Sequence, residues 1–135
     1  MKPIPIGAHL TKTIVVDRAR TIDFLGDALR VYATPEMVWD VENGCRELLL
    51  QYCDVGEDSV GTGIELTHTG ATPLGMTVEV TVTVAAVEGR RVTFATLVRD
   101  SLEEVSRGEH GRFVVDVEKV RVRVAEKNAK ARTSF

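Results

Sequence analysis

One helix start constrains this chain more than any other feature. Thr34, Pro35 and Glu36 present in order a hydroxyl suited to an N-cap, a proline suited to the first helical position and an acid suited to the first turn. From there Met37, Val38, Val41, Cys45, Leu48, Leu49 and Tyr52 recur at helical spacing, while Asp40, Asn43, Glu47 and Gln51 fall on the other side. The spacing predicts a helix from Thr34 to near Asp54 with one buried and one wet face; VGEDSVGTG then brings turn residues.

The rest reads mostly as strand. Residues 10–17 are rich in β-branched types, and an irregular stretch through Phe24 and Leu25 follows as a candidate lid. GTGIELTHT alternates, and Met76, Val78, Val80, Val82 and Val84 alternate strictly with Thr77, Glu79, Thr81 and Thr83. Turns at Glu88-Gly89 and Asp100-Ser101 predict a three-stranded meander ending near Val117. Beyond it the chain is expected to run extended, then as a frayed helix, with EKNAKAR as a basic, solvated tail. One long helix beside four or five antiparallel strands is an α+β pattern in which the sheet wraps the helix to bury it, the shape called a hotdog. With 135 residues and no linker or repeat, a single domain with a core over about 8–124 is expected.

Charge narrows the partners. A net charge of -3 offers no general attraction to nucleic acid or to an anionic membrane, and no apolar run approaches the ~20 residues that span a bilayer. Cys45 and Cys53, eight positions apart on one helix, would lie about 12 Å apart, too far for a disulfide. Two free thiols and no cleavable leader at the start lead us to expect a reducing cytoplasm.

Two residues stand out against the patterning. Glu42 shares a helical stripe with Val38, Cys45 and Leu49, so its carboxylate meets the buried edge, where it needs donors or a shifted pKa. It is either a catalytic acid or a structural one bonded to backbone. His68 alternates with Ile64 and Leu66 and so faces inward, as a core histidine or as a catalyst. The apolar faces of this strand and of the helix must pack together, which sends acid and imidazole to one interface, where each could satisfy the other.

Other residues carry less. Thr34 is accounted for by capping, although it stands two turns before Glu42 at the positive end of the helix. Gly61 and Gly63 are turn glycines or an unobstructed backbone N–H for a carbonyl oxygen. His110, near a bulge expected from Gly108 and Gly111, reads as structural or edge-exposed, and Cys45 lacks a cationic neighbour that would activate it. Trp39 points off the main stripe, toward a lid or a dimer contact. Zinc spacings and phosphate-binding motifs are absent from the sequence.

The runs VYATPEMVWDVENGC, GTGIELTHTGATPLGMTVEVTVTVAAVEGRRVTF and GEHGRFVVDVEK together resemble the hotdog acyl-CoA thioesterases related to the fluoroacetyl-CoA-specific thioesterase. The most specific parts are Ala33-Thr34 at the helix start, the glutamate eight residues on, and Thr67-His68-Thr69 followed by Ala71, Thr72, Pro73 and Gly75. The resemblance implies that Thr34, Glu42 and His68 form the catalytic group and that Gly61 offers its N–H to the thioester oxygen. It also implies a homodimer, or a dimer of dimers, with sites near the subunit interface. Family phenylalanines before the catalytic threonine are replaced here by Leu25 and Ala28, with Phe24 and Tyr32 still nearby, so a short acyl group other than fluoroacetyl is expected.

The expected reaction is hydrolysis of a small acyl-CoA to the acid and free CoA, with no cofactor beyond the coenzyme A of the substrate itself. His68 would act as general base or acid. Glu42 would orient it or attack directly, and Thr34 would position the nucleophile or be one. Arg90, Arg91, Lys119, Arg121 and Arg123 are candidates to attract the CoA phosphates. A non-catalytic acyl-CoA-binding module and an enoyl-thioester hydratase are the alternatives.

Overall fold

The computed structural model describes residues 1–133. Seven strands and two α-helices follow in order: β1 (His9–Val15), β2 (Thr21–Ile22), β3 (Val31–Tyr32), α1 (Thr34–Leu50), β4 (Glu57–His68), β5 (Thr77–Glu88), β6 (Arg91–Arg99), β7 (Glu104–Asp116) and α2 (Val117–Ala131). Five strands form one antiparallel sheet in the order β1-β5-β6-β7-β4, while β2 and β3 make a small separate pair. The sheet curves around α1, which packs on β5, β4, β1 and β7. This is the hotdog architecture that the helix-and-strand pattern predicts.

Periodicity explains the core. Val78, Val80, Val82 and Val84, each at most 1% exposed, face Met37, Val41, Cys45, Leu48 and Leu49 of α1. Burying a side chain of this kind contributes about 1.5–3 kcal/mol. Gly44 faces the sheet with room for a methyl group, since a Cβ there would stand at ordinary contact distance, 3.5 Å, from Val82 Cγ1.

Four expectations are corrected. The helix stops at Leu50, and Gln51 and Tyr52 leave it as a turn; the apolar Tyr52 that extends the stripe packs on the core from outside the helix. The first strand starts one residue earlier and ends at Val15. Residues 117–131 form an exposed helix, capped by the Asp116 carboxylate on the Lys119 N–H, where an extended run and a frayed tail were expected. The bulge lies in β4 rather than β7: the register shifts between Gly61 and Gly63, leaving Thr62 as the extra residue opposite Gly111.

Gly108 and Gly111 have another purpose. A Cβ on Gly108 would come within 2.1 Å of the Glu65 carbonyl oxygen, so β4 can lie on β7 at this register only without a side chain there. The pairing carries β4 out to the sheet edge and delivers His68 at its C-terminal end, opposite Ser106.

Candidate functional site

A hollow of about 450 Å³ opens at the N-terminus of α1, with Phe24, Tyr32, Thr34, His68 and Ala71 among its lining residues. Three elements meet there: the chain between β2 and β3, the first turn of α1, and the end of β4. Thr34 does not cap the helix. Ala33 holds the N-cap position without a side-chain bond, and the Thr34 hydroxyl is instead 2.7 Å from His68 Nδ1. Capping, the reading that explained Thr34 away, is thereby removed, and the hydroxyl stands at the positive end of the helix.

His68 is half-buried. Burial pulls its pKa below the ordinary 6.5, with the Gly70 carbonyl opposing, so the imidazole is neutral and basic at neutral pH. The Tyr32 ring meets it edge-on, with centroids 6.4 Å apart and planes at 77°. Tyr32 is itself buried and donates its hydroxyl to Asp40 Oδ2 at 2.5 Å. Arg20 grips the same carboxylate with both Nε (2.9 Å) and Nη2 (3.1 Å). Burial and the bond to Asp40 push the Tyr32 phenol well above its usual range, and it remains a donor.

Asp40 was expected on the wet face and is only 5% exposed. The available signal was Gly44, one turn on: a small residue next to the apolar stripe widens the face that can be buried. Arg20 had no sequence signal of its own.

Glu42 lies elsewhere. Among the described residues it makes no hydrogen bond or ion pair with His68, so the expectation that the two satisfy each other fails within one chain. Its surroundings are Gly61, His110 and Arg112: a Cβ on Gly61 would stand 3.2 Å from His110 Cε1, 3.6 Å from Glu42 Oε1 and 3.7 Å from Arg112 Nη1. Gly61 is therefore a close-approach glycine beside the carboxylate. His110, expected to be structural or edge-exposed, is buried at 1% exposure. Its Nδ1 donates to the Gly63 carbonyl at 2.8 Å, and its Nε2 accepts from Arg112 Nη1 at 3.1 Å, which fixes a neutral tautomer. Burial is the main cause that lowers its pKa. Arg112, which the sequence reading passed over, is buried and further held by the Ser59 hydroxyl and carbonyl.

The remaining candidates separate clearly. Phe24 is 77% exposed and lines the hollow. Leu25 is exposed on the same turn but is not part of the lining, a correction to its expected place in the pocket. Arg90 is tied to Glu57 at 2.9 Å. Arg91 borders a separate open hollow with Thr62, Thr93 and His110, and Lys119 lies on α2 beside Val122 and Arg123. Burial pushes the Cys45 thiol up to about 12, which leaves it unreactive. Cys45 and Cys53 are both free. Trp39 is exposed. Among the described residues no cluster of histidine, cysteine or acidic side chains is placed to hold a metal ion, and no helix is long and apolar enough to cross a membrane.

Comparison with known proteins adds four relations. The family model of the fluoroacetyl-CoA-specific thioesterases matches residues 16–118. A fluoroacetyl-CoA thioesterase of Streptantibioticus cattleyicolor is 36% identical over 129 residues, 90% of this chain and 93% of that one. Among solved structures, a variant of the fluoroacetyl-CoA-specific thioesterase in complex with fluoroacetate and CoA superposes with TM-score 0.80 at 36% identity, covering 87% of this chain and 99% of that one. A Thermus thermophilus protein described as a thioesterase superfamily member superposes with TM-score 0.90 at 26% identity over 98% of this chain and 99% of its own.

Proposed function

The chain belongs to the fluoroacetyl-CoA-specific thioesterase family, and on that footing we propose that it hydrolyses a small acyl-CoA to the free acid and CoA. The observation that carries this reading is the 2.7 Å contact between Thr34 Oγ1 and His68 Nδ1 at a hollow of about 450 Å³. A neutral imidazole on a hydroxyl is the arrangement that activates an oxygen nucleophile. In one route His68 takes the Thr34 proton as the hydroxyl attacks the thioester carbon; the C–S bond breaks, and the proton passes to the departing thiolate. Water then releases the acid. In the other, Thr34 only orients His68, which deprotonates water directly.

The acyl group is a short one. Fluoroacetyl-CoA is the relative's substrate, but the lid here carries Leu25 and Ala28, both exposed, and Phe24 alone among the nearby lid residues contributes an aromatic ring to the hollow. Arg91 and Lys119 are the proposed cations for the CoA phosphates, whereas Arg90 is engaged by Glu57. Two free thiols suit a reducing cytoplasm.

We further propose a homodimer with shared sites. Thr34 and Glu42 are eight helical positions apart, about 12 Å, and Gly61 and His68 seven strand positions, up to about 23 Å. One thioester carbonyl cannot reach both His68 and Gly61 of a single chain. β4 lies at the sheet edge with Val60 and Ile64 exposed, an invitation to a second copy that would bring its own Gly61 and Glu42 to the Thr34–His68 pair.

Mixing two inactive variants tests both ideas. His68→Ala and Glu42→Gln should each slow thiol release by about 100-fold or more. Refolded together, they should recover activity, because one site of each mixed dimer regains an intact set. Folded variants near wild-type rate would remove these residues from the mechanism. A monomer by sedimentation, or no recovery on mixing, would remove the shared site.

A further inference from the structure

Asp40, 5% exposed, sits between the buried Tyr32 and the partly buried Arg20. Arg20 precedes β2 and Tyr32 ends β3, so these two residues bracket the lid segment, and both bond to one carboxylate on the second turn of α1. The backbone repeats the tie: the Ala33 N–H donates to the Arg20 carbonyl at 2.8 Å, and the Tyr32 N–H to the Thr72 carbonyl at 2.9 Å. Thr72 is in turn buried on Asp100 at 3.0 Å. A solvent-facing Arg–Asp pair would contribute little, but here both carboxylate oxygens are used and the acid is almost wholly enclosed.

What the clamp fixes is the face of Tyr32. Its hydroxyl is fully committed to Asp40, so only its ring reaches the hollow, where it stands edge-on to His68. The imidazole is bonded by the Thr34 hydroxyl and by the Gly70 carbonyl, and two polar contacts along its edge do not by themselves stop the ring from tilting. The Tyr32 ring, edge-on to the imidazole, restricts that tilt. We propose that Asp40 is a positioning residue for the Thr34–His68 pair, acting through Tyr32, with Arg20 locking the carboxylate in place. The proposal rests on the thioesterase reading for its effect on rate, but not for its effect on the imidazole.

The functional groups near His68 are the Thr34 hydroxyl and the Tyr32 phenol, with Asp40 and Arg20 behind Tyr32. Glu103 approaches from the β7 side, where a Cβ on Gly70 would meet its Oε1 at 2.9 Å. Tyr32→Phe changes none of these charges at neutral pH and keeps the ring, so it isolates the bond to Asp40.

The test is a double-mutant cycle in kcat. Tyr32→Phe should lower kcat on a short acyl-CoA about tenfold with KM changed little, and should lower it hardly at all in a His68→Ala background. Equal losses in both backgrounds, or a rise in KM with kcat intact, would overturn the proposal. An arm independent of turnover follows the His68 ring resonances by NMR across pH. Loosening Tyr32 admits water, so the titration should move up toward 6.5 in Tyr32→Phe, and Arg20→Lys should move it the same way by a smaller step. An unchanged His68 titration in both variants would contradict the clamp even if the wild-type protein released no thiol, an outcome that would separately refute the hydrolase reading.

Discussion

Because Thr34 Oγ1 and His68 Nδ1 lie 2.7 Å apart, the protonation of one imidazole governs whether the hydroxyl can be activated. Burial lowers the His68 pKa, so the base form already predominates at 6.5 and persists below it. The acid limb of kcat/KM is therefore expected to have its midpoint below 6.5, with a flat region from there to neutral pH. A limb centred above 6.5 would show that the base is a different group or that His68 is solvated in the working enzyme. Residues also mark where reading the sequence stops. Alternation alone turned His68 inward, but the bond to Thr34 joins positions 34 apart and no local pattern encodes it. Asp40 was misassigned for a related reason. A carboxylate reads as solvent-facing until its partners are known, and Arg20 and Tyr32 arrive from a segment with no periodicity.

At the scale of elements, periodicity was a good guide wherever one face was clearly apolar. β5 keeps every inward valine that its alternation predicts, and α1 buries Met37, Val41, Cys45, Leu48 and Leu49. Ends were harder. Tyr52 belongs to the core but not to the helix, and α2 was obscured because Val117, Val120 and Val124 fit one period while Val120, Val122 and Val124 fit the other. Two glycines with opposite surroundings give a paired prediction. Gly44→Ala adds a Cβ at ordinary contact distance from Val82, so urea unfolding should show a gain of about 0.5–1 kcal/mol from helix propensity. Gly108→Ala instead drives a Cβ into the Glu65 carbonyl, and should destabilise by several times that amount and loosen β4 from β7. If Gly44→Ala were the more harmful of the two, the helix–sheet spacing described here would be wrong.

For the whole molecule, two buried histidines set a pH window. His68 and His110 both have pKa values lowered by burial, so the unfolded chain binds protons that the folded one refuses. Their contribution to stability is complete above 6.5 and is lost as pH falls through the folded values. The urea midpoint should accordingly drop between pH 7.5 and 5.5, and His110→Gln should drop less over the same interval. A midpoint that is constant or rises on acidification would contradict the neutral His110 tautomer held between Gly63 and Arg112.

The fold brings a hydroxyl and a neutral imidazole to the mouth of a small hollow, an arrangement able to cleave a thioester. The most direct test is free-thiol release from acetyl-, propionyl- and longer acyl-CoAs by the wild-type protein. Release is expected from the short chains, falling as the acyl group outgrows the hollow and falling about 100-fold or more in His68→Ala. No release from any chain length would contradict the account.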